Sequence, residues 1–144
     1  MSEKGIERRL CQRFKIPGAT VSYRRQGFLH KAKGFDEEFC PVLDLNRGGV
    51  CFLTQRLMKF RSQVVLQLSV PGERIPFNLR GRIRWSSHSA RTTYKYQAGI
   101  QFNPYGEGQE ENYPGNLVKI ITLEQKFIDR NELDNAGKQS DSSN

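Results

Sequence analysis

The chain has 144 residues, enough for one small domain with tails and too few for two full catalytic lobes. Hydrophobic residues make up 36% and charged residues 26%, the balance of a soluble globular chain with a modest core, and no apolar run approaches the roughly 20 residues that a bilayer span needs. Lys and Arg total 23 against 15 for Asp and Glu, and the resulting net charge of +8 favours polyanions such as nucleic acid, phosphates or acidic lipid.

The N-terminal stretch Glu7-Arg8-Arg9-Leu10-Cys11-Gln12-Arg13 is crowded with arginine and precedes a predicted strand from Phe14 to Tyr23, interrupted by Pro17 and Gly18. The stretch from Arg24 to Glu38 is basic and then acidic and reads as a weak strand end followed by an exposed loop. Phe39 to Leu45 and Val50 to Leu53 flank Asp44-Leu45-Asn46-Arg47-Gly48-Gly49, which predicts strand, tight turn, strand, with the paired glycines expected to supply positive φ angles. Val64 to Val70 alternates most regularly, and Pro71-Gly72 marks the next turn.

Ile75 to Trp85 places Phe77, Leu79, Gly81, Ile83 and Trp85 on one parity, and Tyr94 to Phe102 does the same for Tyr94, Tyr96, Ala98, Ile100 and Phe102. Six strands of this length predict a barrel or a sandwich. After a loop from Asn103 to Tyr113, Pro114 opens a helix in which Leu117, Ile120, Ile121, Phe127 and Ile128 recur at helical spacing to about Asn131. That stripe suits covering a barrel mouth, and joining two chains is the alternative. From Leu133 the tail has almost nothing to bury and is expected to be disordered.

The start of the chain lacks the apolar stretch of a signal peptide, and Cys11, Cys40 and Cys51 are an odd set at wide spacings with no Cys-x-x-Cys pair. Both features predict reduced thiols in the cytoplasm. The Cys and His separations match no zinc finger or ribbon, and no nucleophile motif is present, so neither a metal nor catalysis is expected.

Two constellations carry chemistry. Arg9 and Arg13, four residues apart, project to one side in helix and strand alike, with Arg8 adding a third cation. A guanidinium makes bidentate hydrogen bonds to a phosphate or to the O6/N7 edge of guanine, although a charge run at a domain edge is by itself ordinary solvated surface. Asp44-x-Asn46-x-x-Gly49, with Gly48 beside it, sets an acceptor carboxylate, an amide and close backbone on one turn; the same residues are also what any tight turn prefers.

Taken together, Arg9-x-x-x-Arg13, Asp44-x-Asn46-x-x-Gly49, Gly81-Arg-Ile-Arg-Trp85 and Ala98-Gly99-Ile-Gln-Phe102 resemble a PilZ domain over about residues 7 to 130. The resemblance implies an all-β fold with a C-terminal helix: a six-stranded antiparallel barrel over 14–132, a flexible switch segment over 1–13 and a tail over 133–144. It also implies a receptor for cyclic di-GMP, with no cofactor, whose N-terminal arginines close on the ligand and signal to a downstream protein. On that basis Arg8, Arg9 and Arg13 would grip phosphates and guanine edges, Asp44, Asn46, Gly48 and Gly49 would meet a guanine from the barrel, and Trp85 would pack against the base. Trp85 also fits a core aromatic, by its parity with Phe77 and Ile83. Asn46 departs from the family pattern, which has serine there.

Two other readings stay open. A small barrel binding single-stranded nucleic acid would use the net charge with Phe28, Trp85, Tyr94, Tyr96 and Tyr105 as stacking surfaces, although Asp44 would repel a phosphate backbone. A PilZ-like interaction module without ligand is the other, and the oligomeric state is open with it.

Overall fold

Val64, Leu66 and Leu68 are fully buried in β4 (Gln63–Ser69) while the residues between them stay partly exposed, as period-two alternation demands of a strand with one face on a core. The first half of β5 (Phe77–His88) alternates in the same way, whereas β3 (Gly49–Thr54) is buried almost throughout, and β1 (Thr20–Arg25), β2 (Glu37–Asn46) and β6 (Tyr96–Phe102) complete the sheet. The computed structural model describes residues 12–26, 34–91 and 93–142, with side chains to residue 128. Its strands pair antiparallel throughout and close into a barrel in the order β1-β2-β3-β6-β5-β4. Closure leaves no strand at an open sheet edge.

The barrel interior holds Val21, Tyr23, Leu45, Phe52, Leu79, Ile83 and Ala98 among others, with the Tyr23 ring tilted against Phe52. The Tyr23 hydroxyl donates to the Glu37 carboxylate, which satisfies the polar tip of an otherwise buried aromatic. One mouth is closed by α1 (Pro114–Ser142), whose Ile120, Leu123 and Phe127 are buried in the same core. The apolar stripe is therefore spent on the chain's own barrel. Asn112 completes the seal: its side chain exchanges hydrogen bonds with the backbone of Arg80 and donates to the carbonyl of Asn103.

Several expectations are corrected. The first strand begins at Thr20; Phe14 is a single bridge residue, because Pro17 and Gly18, the latter at φ 81°, form a turn that breaks the run. Ile75 and Tyr94 lie outside β5 and β6. The helix runs to Ser142, beyond the Asn131 read from its apolar spacing. Gly48 and Gly49 do not adopt positive φ, so the turn does not use them as expected.

Candidate functional site

Alternation places the site residues. Leu45 is fully buried, so its neighbours Asp44 and Asn46 emerge on the outer face of β2. Phe14, also buried, exchanges backbone hydrogen bonds with Leu45 at 2.9 Å in both directions, an antiparallel bridge whose register sets the exposed Arg13 opposite Asn46 and Lys15 opposite Asp44. Across β2 and β3, Asp44 faces Cys51 and Asn46 faces Gly49, after a register shift between Val42 and Asp44.

These residues border a groove of about 340 Å³ on the outer wall of the barrel, within the range of about 300–1,000 Å³ usual for small-molecule sites. One wall is Asp44, Asn46, Gly48 and Gly49; the floor is Val50, Cys51, Gly99 and Ile100; the opposite wall is Arg84, Trp85 and Gln101, and Arg13 stands at the edge. Its charged lining is two guanidiniums against one carboxylate. That balance favours an anion carrying a hydrogen-bond donor for Asp44.

The turn is built by Asn46, whose Oδ1 accepts the Gly48 N–H at 2.8 Å, an Asx turn that needs no positive φ. Gly49 is required for a different reason: a Cβ there would collide with the backbone carbonyl of Ile100 on β6. Arg47, at the tip, is turned away from the groove. Its Nε and Nη2 reach the Glu124 carboxylate on α1 at 2.9 and 2.8 Å, and its carbonyl accepts the Tyr105 hydroxyl at 2.8 Å. The ion pair is sheltered, with Glu124 buried, and it fastens the turn to the helix.

Trp85 departs from the parity of Phe77 and Ile83. A bulge between Ile83 and Trp85 inserts one residue, so the indole swings to the outer face, 38% exposed, and lies over Gly99 where a side chain would otherwise stand. The core reading of Trp85 is thereby overturned. Cys51, on the floor, has its thiol pushed up to about 12 by burial and then by the Asp44 carboxylate, against a downward pull from Arg13; the thiol donates to Asp44. Burial likewise pushes Cys40 up to about 12, which favours the protonated thiol at both positions near neutral pH.

The structure thus gathers Arg13, Asp44, Asn46, Gly48, Gly49 and Trp85 around one groove. Arg8 and Arg9 lie outside the described residues. Cys51, Arg84, Gly99 and Gln101 were missed in the sequence: the first reads as a plain strand residue, and the rest depend on the bulge and the β5–β6 register. Among the described residues no cluster of His, Cys, Asp or Glu could hold a metal ion, and no helix is long and apolar enough to cross a membrane.

The family model for the PilZ domain matches residues 7–115. The chain belongs to the PilZ domain family. Members of that family are receptors that bind cyclic di-GMP. Among solved structures this PilZ chain is similar to the Bacillus subtilis inhibitor of motility (MotI/DgrA), with a TM-score of 0.57 and 11% identity, over 85% of this chain and 51% of that one. The likeness is one of fold, and the chain spans about half the length of that neighbour. No curated protein matches the chain in sequence.

Proposed function

We propose that this PilZ domain is itself a cyclic di-GMP receptor, without catalytic activity, that works in the cytoplasm. The observation that carries the reading is the Phe14–Leu45 bridge, because it brings an arginine of the first motif beside Asn46 of the second, at the edge of the groove that Asp44 also lines. Each part answers one part of the ligand. Arg13, with Arg8 and Arg9, supplies guanidiniums for phosphates and guanine O6/N7; Asp44 accepts from guanine N–H groups; the Asn46–Gly49 turn lets backbone come close; Trp85 offers a π face. Occupancy orders the arginine-bearing segment against the barrel, and the changed surface is read by a downstream protein.

The nucleic-acid reading draws less support. Tyr105 is spent on the Arg47 carbonyl and the Tyr96 ring is tilted against His88 at 5.1 Å, which leaves fewer of the proposed platforms open to successive bases.

Thermal unfolding with cyclic di-GMP, GTP or a short single-stranded oligonucleotide tests the proposal. Ligand at one hundred times its Kd stabilises the fold by about 2.7 kcal/mol, a Tm rise on the order of 5–10 °C, and Arg13→Ala removes most of it. A rise with the oligonucleotide alone, or an Arg13→Ala response equal to the parent's, would overturn it.

A further inference from the structure

We infer that Arg84 is a specificity-determining ligand contact, reading the guanine edge of the base that stacks on Trp85. The inference rests on the receptor reading and adds a contact from the wall opposite Asp44.

Neighbouring residues of a strand normally face opposite sides of a sheet. Arg84 and Trp85 do not: both are exposed and both border the groove, because the bulge between Ile83 and Trp85 turns them to the same side. The indole rests over Gly99, with Trp85 still 38% exposed, so a base stacked on its open face stands one ring above the strands. Arg84 rises from the same strand beside it and meets such a base at its edge. Its Nη1 donates to Gln101 Oε1 at 3.2 Å, and Gln101 lies on β6 opposite Gly49, so the arginine is steadied by a neighbour in the same wall of the groove.

A guanidinium fork at a purine edge discriminates. Guanine presents two acceptors, O6 and N7, whereas adenine presents N7 beside an N6 amino donor that opposes one arm of the fork. Arg84 therefore favours cyclic di-GMP over cyclic di-AMP. A solvated arginine held only by Gln101 would do neither.

Calorimetric titration of the full chain with both dinucleotides, for the parent, Arg84→Ala and Arg84→Lys, decides the matter. Arg84→Ala is expected to weaken cyclic di-GMP by about tenfold or more and cyclic di-AMP by less. Arg84→Lys is expected not to restore the preference, since an ammonium lacks the planar fork. An unliganded Tm equal to the parent's shows that the fold is intact. Parental affinity in Arg84→Ala, or equal losses for both dinucleotides, overturns the inference while leaving the receptor reading standing. Failure of the parent chain to take up cyclic di-GMP overturns both.

Discussion

Phe14 and Leu45 exchange both backbone hydrogen bonds at 2.9 Å, and that antiparallel pair is what holds Arg13 opposite Asn46 at the edge of the groove. Both side chains are buried, so the bridge is locked by core packing as well as by its hydrogen bonds. Phe14→Ala is expected to cost about 3–5 kcal/mol of stability and also to weaken cyclic di-GMP, because Arg13 is released. Leu68→Ala, in β4 and away from the groove, loses a comparable amount, about 2–5 kcal/mol, without that second effect. Urea unfolding combined with titration of the folded protein separates the two, and equal affinities in both variants would remove the bridge from the binding argument.

The adjacent glycines of the turn respond oppositely to a methyl group. At Gly48 a Cβ meets nothing nearer than Asn46 Oδ1 at 3.6 Å, and φ is not positive, so Gly48→Ala leaves stability within about 0.5 kcal/mol of the parent. At Gly49 the Cβ runs into the Ile100 carbonyl, which belongs to the β3–β6 ladder and cannot rotate away. Gly49→Ala is expected to destabilise by several kcal/mol, on the order of the larger single-site losses. A Tm series on the two variants checks the contrast.

That contrast also shows where sequence reasoning reaches its limit. The turn from Asp44 to Gly49 was legible because Asp, Asn and Gly are the residues a tight turn prefers, and the alternation of Val64, Leu66 and Leu68 because period two is a local property. Gly49, however, owes its identity to a strand about fifty positions away, and its role was misread as turn chemistry. Parity with Phe77 and Ile83 left a core position open to Trp85 beside the ligand one, because one inserted residue, invisible in the pattern, inverts the parity after Ile83. The Phe14–Leu45 bridge is likewise a long-range pairing, which composition and spacing do not encode. The Arg47–Glu124 ion pair joins turn and helix in the same way.

Alkaline stability follows from the buried thiols. Burial pushes Cys40 and Cys51 from 9.0 to about 12, and Tyr105 from 10.0 to about 12. The folded chain therefore holds these protons where the unfolded chain has released them, so their stabilisation is complete below about pH 9 and is lost as pH rises through about 12. Urea midpoints are expected to be flat to pH 9 and to fall beyond it, with a shallower fall in Cys51→Ser. In a Cys11→Ser background, thiol reagents at pH 8 should label Cys40 and Cys51 only at the rate of opening. Rapid labelling of the native chain would contradict the burial of both.

Asn46 stands where the family pattern has serine, and its amide oxygen is already engaged with the Gly48 N–H at 2.8 Å. A serine hydroxyl can accept the same hydrogen bond from a shorter side chain, more weakly, while leaving more room beside Asp44. Asn46→Ser is therefore expected to cost about 0.5–1 kcal/mol of stability at most and to bind cyclic di-GMP equally or more tightly. Asn46→Asp places a second carboxylate beside Asp44 and should weaken a doubly anionic ligand, most at low salt. Parallel titrations at two ionic strengths distinguish these outcomes. A clear loss of affinity in Asn46→Ser would mean that the amide touches the ligand directly and that its role extends beyond shaping the turn.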